Sequence, residues 1–451
     1  MGQENGRLAS MARDAYKGKK YQYQAFVAGF LPQLSIVGDA PYTRSITNIV
    51  QPDGSSSFEL QRQAQSSLSL ALSQRVPWTG TEISLYSGLN RLDNIETRSS
   101  YYRSTPLSFS VRQSFFSINT TAWNEKFEEL NYTSTHREFV EAMEDAAIDI
   151  TNKFFGLYLA TMNVNNARLN LAINDTLYQM SKGRFNVGKI AENDLLQSEL
   201  ALLNARTAYE NSLIEYDRAL QSFRYGLGIS PETPLQIQPD EPKDFYGVNL
   251  EKALDYAHQN RSDMIDFEVQ KLTAARNVRQ AQSNNSFSMD VTANIGLNQK
   301  AVKLNQAYVD LLDQQQFSVQ LQIPLFGFGT GTNAVEAALA EQSRIETSVN
   351  TQQFSFDQEV LYQVQRFRQL QSQVYVSAKA DTVAQRRFDV ARERYVIGKI
   401  DVPNLFLAQS EKDNAYRARI QTLWDYWTTY YMLRRLTLYD FASEHTLVES
   451  E

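Results

Sequence analysis

The sequence predicts a mainly α-helical protein with β-structure, made by tandem duplication of one unit of strands and a long helical hairpin. Three observations carry this prediction. The segment Arg184-Phe-Asn-Val-Gly-Lys-Ile190 returns 210 positions later as Arg394-Tyr-Val-Ile-Gly-Lys-Ile400. The stretches 120–187 and 332–397 contain no proline. Residues Phe287 to Leu297 alternate, with Phe287, Met289, Val291, Ala293, Ile295 and Leu297 on one face and polar or small residues on the other. An internal repeat fixes architecture before local propensity does, and strict alternation is the mark of a strand with one apolar face.

Composition narrows the classes. Only 11 prolines and 19 glycines punctuate 451 residues, so the elements are few and long. A formal charge of −7, with both signs interspersed, gives no field for nucleic acid. The absence of cysteine excludes a disulfide framework and thiolate metal sites, and suits an oxidising compartment such as a periplasm. No run approaches the ~18 apolar residues of a membrane-spanning helix. A membrane β-barrel leaves little trace in mean hydropathy and stays open. The N-terminus, Met1-Gly-Gln-Glu-Asn, has no export-signal architecture, and a removed signal peptide is expected.

In chain order, strand signal begins at Leu31-Pro-Gln-Leu34. An extra hairpin follows, in which Leu68, Leu70 and Leu72 alternate with serine and alanine. Pro77-Trp-Thr-Gly80 supplies its turn, and Ile83, Leu85 and Leu89 resume the pattern. Leu107, Phe109 and Val111 then alternate against Ser108, Ser110 and Arg112. Tyr42, Trp78, Tyr86, Tyr101, Tyr102 and Phe109 fall where an aromatic girdle would lie, although core aromatics would have the same spacing. In the second half, Phe287 to Leu297 is answered by Phe317, Val319, Leu321, Ile323 and Leu325. Each run is close to the ~10 residues a tilted strand needs to cross a bilayer.

The remainder reads as helix. From Ala191 to Leu227, apolar residues such as Leu202, Tyr209, Tyr216 and Phe223 recur at steps of three and four, and Ile345 to Val374 repeats that seam. The proline-free stretches predict helices of about 100 Å at ~1.5 Å per residue, a length suited to coiled coils or helical tubes. Gly188 and Gly398 suit the left-handed position that ends a helix, with Asn193 or Asp194 and Asp401 or Asn404 as caps of the next. The expected domains are 1–240 and 241–451, each a helix, a β-hairpin region and a long helical hairpin, joined by a Pro-rich link at 231–244. Their hairpin regions are about 31–115 and 287–326, and their tips about 184–194 and 394–404.

This order of elements resembles the TolC family of outer-membrane efflux channels across nearly the whole chain. Ile323-Pro-Leu-Phe-Gly-Phe-Gly329 resembles the family's strand-end segment. Val187-Gly-Lys-Ile190 and Ile397-Gly-Lys-Ile400 resemble its periplasmic tip turns, and Leu31-Pro-Gln-Leu34 its first strand. Gln51-Pro-Asp-Gly54, Val76-Pro-Trp-Thr-Gly80 and Trp123 resemble the Bacteroidota branch. The resemblance implies a homotrimer with a transmembrane β-barrel shared by its protomers in the outer membrane and a long α-helical coiled-coil barrel as a periplasmic tunnel. The expected function is an exit duct for small molecules or polypeptides. Expected partners are a periplasmic adaptor, an inner-membrane pump of the RND or ABC type and outer-membrane lipid. The expected tip, gate and adaptor-contact residues are Arg184, Val187, Gly188, Lys189, Ile190 and Asp194 in the first repeat. In the second they are Arg394, Ile397, Gly398, Lys399, Ile400, Asp401 and Asn404. Two departures stand out: the extra hairpin at 68–89, and Asn404 and Leu407 where some members place a ring of carboxylates.

Nothing points to an enzyme or a cofactor. His136, His258 and His445 show no ligating or catalytic spacing. Gly327-Phe-Gly-Thr-Gly331 lacks the rest of a nucleotide fingerprint and reads as a tight strand-to-helix turn. Two other classes compete with the duct. A periplasmic adaptor would carry one helical hairpin between lipoyl-like halves, and a soluble coiled-coil scaffold would carry no return strands.

Overall fold

The computed structural model describes residues 4, 6–50, 54–230, 232–242, 245–397, 399–400 and 402–448. Gly398 and Asp401 of the expected second tip, 51–53 of the Bacteroidota-like segment and parts of the 231–244 link lie outside the described residues. In chain order the elements are α1 (Arg7–Ala28), β1 (Gln33–Asp39), β2 (Tyr42–Val50), β3 (Ser56–Arg75), β4 (Glu82–Asn94), β5 (Ser99–Phe115), α2 (Thr120–Asn186) and α3 (Glu192–Leu227). There follow α4 (Leu250–Asn260), α5 (Ser262–Asn284), β6 (Ser288–Ala301), β7 (Leu312–Gln322), α6 (Thr330–Val396), α7 (Val402–Thr437), β8 (Tyr439–Asp440) and β9 (His445–Thr446).

The duplication is kept to the residue. The long helices α2 and α6 both have 67 residues, the return helices α3 and α7 both have 36, and each boundary recurs 210 positions on. Removing the same offset lays β6 and β7 over β4 and β5. The surplus strands of the first repeat are therefore β1 to β3, residues 33–75, rather than the hairpin expected at 68–89. That hairpin spans the turn between β3 and β4, and its second strand belongs to the repeated pair.

All strands but the last two form one antiparallel sheet in the order β1, β3, β4, β5, β6, β7, with β2 also on β3. β1 and β2 share one register on β3: Gln33 faces Ser73, Asp39 faces Ser67, Tyr42 faces Ala64 and Val50 faces Ser56. They are one strand interrupted at Ala40-Pro41, where the proline has no N–H to give and its carbonyl accepts from the Gln65 amide at 2.9 Å. β7 stops at Gln322, short of the Leu325 that the alternation reached, because Pro324 cannot extend a ladder. The chain then turns through Phe328 (φ 48°) and Gly329 (φ 83°) into α6, the tight strand-to-helix turn expected there.

Contacts divide the chain into two compact units. One gathers 19–132 and 266–350, the sheet and the helix segments beside it, where Tyr23 stacks on Tyr132 at 4.4 Å and Arg276 lies over Phe127. The other gathers 1–18, 133–265 and 351–451. Its main core sets Val360, Val364, Phe367 and Leu370 of α6 against Ala253 and Ala257 of α4 and Tyr426, Leu433 and Leu436 of α7. These α6 residues belong to the seam legible in the sequence. On α3 the corresponding seam is buried at Phe223 and Leu227, against Leu157 of α2, while Leu213 is exposed.

Candidate functional site

The first tip turn is built by backbone geometry. Gly188 has φ 69°, a conformation that costs glycine little and other residues about 1–2 kcal/mol. Its N–H donates to the Phe185 carbonyl, and the Lys189 N–H donates to the Arg184 carbonyl, each at 2.8 Å. This pair of bonds closes the open end of α2 in the manner of a glycine-capped helix. At the second tip the Lys399 N–H donates to the Arg394 carbonyl, again at 2.8 Å. Arg184 and Arg394 thus serve the turns through their carbonyls, while their side chains point outward in the last turn, where positive charge suits the helix dipole.

The cap of the return helix differs from expectation. The N-cap of α3 is Ala191, which makes no side-chain capping bond; neither Asn193 nor Asp194 takes that role. Asp194 lies within the first turn beside Glu192, where carboxylates meet the positive end of the helix dipole. In α7 the helix begins at Val402, which puts Asn404 likewise inside the first turn.

The tips present apolar surface. Val187 and Ile397, equivalent by the repeat, are 67% and 63% exposed. Leu196, Leu200 and Leu203 of α3 and Leu407 of α7 are exposed on the adjoining turns. Lys189, Lys399, Arg184 and Arg394 are also exposed, so each tip combines a bare aliphatic side chain with two cations; Ile190 and Ile400 are half-buried.

A second exposed feature lies on the sheet. Paired residues share a face, so the ladder can be followed across it: Leu34 faces Leu72, Leu72 faces Leu85, Leu85 faces Phe109, and Phe109 faces Ile295. A neighbouring row runs Ile83, Val111, Ala293, Phe317. Leu34, Leu85, Phe109, Ile295 and Phe317 are all exposed. The other face carries Ser35, Ser73, Ser84, Ser110 and Asn294 at matching positions. Among the described residues no helix is long and apolar enough to cross a membrane.

A cluster of buried charges was not foreseen from sequence. On α2, Glu141 meets Arg261 at 2.9 Å and accepts the Ser262 amide at 3.0 Å, and Glu144 meets Arg434 at 2.8 Å. One residue on, at the exposed edge of the cluster, Asp145 meets Arg435 at 2.6 Å. Arg434 also reaches Asp440, which accepts from the Tyr430 hydroxyl at 3.0 Å. Burial pushes the Glu141 carboxyl above its usual range despite Arg261. Burial works the same way on Asp440, but the Ala442 amide, Ser443 and Arg434 outweigh it and hold that carboxyl below the usual range. The cluster ties α2 to the ends of α4 and α7 through these ion pairs, with Nε of Arg434 buried and without a hydrogen-bond partner. His258 is paired with Asp357 at 2.6 Å. Among the described residues no group of His, Asp and Glu could hold a metal ion.

No family model and no curated protein sequence matches the chain. Solved structures do. The chain is similar to the CmeC outer membrane channel of Campylobacter jejuni, at 14% identity and TM-score 0.66 over 97% of this chain and 84% of that one. It is similar to a membrane protein from Pseudomonas aeruginosa, at 14% identity and TM-score 0.65 over 97% and 91%. The outer membrane protein VceC from Vibrio cholerae gives 14% and 0.63 over 97% and 94%. At these identities the likeness establishes the fold: mainly helical with a sheet, internally duplicated, as in outer-membrane channels of the TolC type.

Proposed function

We propose that the chain is the outer-membrane exit duct of a tripartite efflux or secretion system, a passive conduit rather than an enzyme. The observation that carries this reading is the apolar band that crosses the sheet from Leu34 to Phe317 while its opposite face is mainly polar. Exposed leucine, isoleucine and phenylalanine in such rows are costly in water and favourable against lipid, at about 25 cal/mol per Å² of apolar surface. Strands of 11 to 14 residues, as in β4, β6 and β7, are long enough to cross a bilayer with tilt.

In this reading the sheet is part of a barrel shared by three copies, and the long helices, in repeats meeting near residue 240, wall a periplasmic tunnel. The exposed apolar residues of α3, Leu200, Leu203, Leu213 and Ile214 among them, pack on neighbouring copies. The tips around Gly188 and Gly398 meet an adaptor that links the duct to an RND or ABC-type pump. Val187 and Ile397 supply the apolar contact and Arg184, Lys189, Arg394 and Lys399 the charge. Asn404 and Leu407 make no acidic ring, so gating rests on packing at the tips rather than on a bound cation.

The test is single-channel conductance of the detergent-extracted protein in planar bilayers, with the oligomer mass measured on the same sample. Discrete openings from a trimer are the expected result. A water-soluble monomer or dimer that never inserts would overturn the proposal.

A further inference from the structure

The first repeat contains a hairpin, 33–75, that the second repeat lacks. We infer that this hairpin is part of the barrel wall, and that β1 is the seam strand which pairs with β7 of a second copy of this chain. Each copy then gives six strand crossings, where the repeated pairs alone would give four.

Phase is the first argument. Moving a strand by one residue turns all its side chains to the opposite face, so an appendage lying outside a wall has no reason to keep the wall's alternation. The insert keeps it. Leu34 and Ile36 of β1 and Leu68, Leu70 and Leu72 of β3 stand on the same face as Leu85 of the repeated pair, and Ser35, Asp39, Ser67, Ser69 and Ser73 stand on the polar face, where Val37 is the one large aliphatic exception on β1. β3 is also bonded along Gln63–Arg75 to β4, an unbroken ladder of thirteen facing pairs, so no boundary separates insert from repeat.

Parity is the second. Counting β1 and β2 as one interrupted strand, the chain crosses the sheet six times, each time antiparallel to its neighbour. With an even count, β1 and β7 run in opposite directions, so β7 of one copy meets β1 of the next in the antiparallel sense that closed membrane barrels require. Among the described residues both strands are paired on one side only, and both carry exposed apolar side chains, Leu34 and Ile36 on β1, Val319 and Leu321 on β7. The hairpin is longer than the wall. β2 and the first half of β3 pair with each other over Tyr42–Val50 and Ser56–Ala64, beyond Asn94 where β4 ends, and so project past the turn of the neighbouring hairpin.

This inference rests on the exit-duct reading, and the experiment separates the two. The chain has no cysteine, so any disulfide is an introduced one. Ser35→Cys on the polar face of β1 is combined in turn with Gln316→Cys, Ser318→Cys and Gln320→Cys on the polar face of β7, and the protein is oxidised in outer-membrane preparations. A parallel series puts Ser84→Cys of β4 with the same three partners, and bilayer conductance is recorded for every variant. The expected result is reducible cross-linked multimers from at least one Ser35→Cys pair and none from the Ser84→Cys series, in protein that still forms channels. Channel-forming protein in which no Ser35→Cys pair cross-links, with or without a Ser84→Cys product, overturns the seam and leaves the duct standing. Wild-type protein that remains monomeric and forms no channels overturns both.

Discussion

The two repeats have the same helices and end them differently. In the first, α3 stops at Gly228, with φ 68° and its N–H on the carbonyls of Arg224 and Tyr225. In the second, the equivalent residue is Leu438, held at φ 46° with its N–H on the Arg434 carbonyl at 2.7 Å. Leu438 is fully buried, and it also accepts the Leu447 amide, which fastens the C-terminal strand β9 beneath it. Arg224 and Arg434 are likewise equivalent. Arg224 gives one bond to the Thr233 carbonyl, whereas Arg434 sits between Glu144 and Asp440. Duplication kept the path of the chain, while one copy of the helix end was recruited into a core and the other stayed a surface turn.

The sharpest way to break this comparison is at the arginines. Arg434→Ala takes the counter-ion from Glu144, 3% exposed at its side chain, and from Asp440, and should cost about 3–5 kcal/mol, as breaking a buried ion pair does. Arg224→Ala should cost about 1 kcal/mol, the worth of one ordinary hydrogen bond. Denaturant unfolding of both variants in detergent gives the two values, and equal losses would refute the division of roles. Next in size is Leu438→Ala, expected to lose about 2–5 kcal/mol because the removed side chain is buried and the left-handed backbone keeps its strain. Gly228→Ala should lose only about 1–2 kcal/mol, the cost of a Cβ at positive φ. A larger loss at Gly228 than at Leu438 would reverse the comparison.

At the tips, Gly188→Val should strain the α2 turn and weaken adaptor binding and efflux while leaving oligomer mass unchanged; wild-type docking and efflux in this variant would exclude the turn from the interface. The smallest effect is a pH dependence. The Asp440 carboxyl is held below its ordinary value of 3.8, so its ionised form contributes stability above that pH, and the contribution is lost as pH falls through the lowered native value. Asp440→Asn should therefore be less stable than the parent near neutrality and converge with it in acid. A stability gap that persists at the lowest pH would assign the loss to packing.

Much of the helical architecture was legible because it depends on periodicity, which one sequence displays. The offset between Arg184–Ile190 and Arg394–Ile400 anticipates the boundaries of four helices, and the apolar spacing from Val360 to Leu370 anticipates the core. The strand pairing was less legible. Tyr42–Val50 contains Thr43, Arg44, Ser45, Thr47 and Asn48, so its period is faint, and only the ladder shows it continuing β1 along β3. The strand surplus is visible in the sequence but its place is not, since the segments on either side of Pro77–Gly80 alternate equally well and sequence does not say which belongs to the repeat. The Ala191 cap was missed because nearby Asn and Asp are the usual candidates. The cluster of Glu141, Glu144, Arg261 and Arg434 was missed for a related reason: charges spaced along a helix ordinarily mark its wet face, and only tertiary packing brings opposite signs together in the interior.

The break at Ala40-Pro41 has a consequence for biogenesis. A newly exported chain with a bare strand edge is a template for any other unpaired strand, and long flat edges nucleate aggregates. Here the edge is divided at Ala40-Pro41 into tracts of seven and nine residues, with the charge of Asp39 beside the break. In the exit-duct reading, a compartment crowded with unfinished envelope proteins thus meets two short ladders instead of one long one. The interruption favours waiting for the proper neighbour over capture by the first strand that arrives.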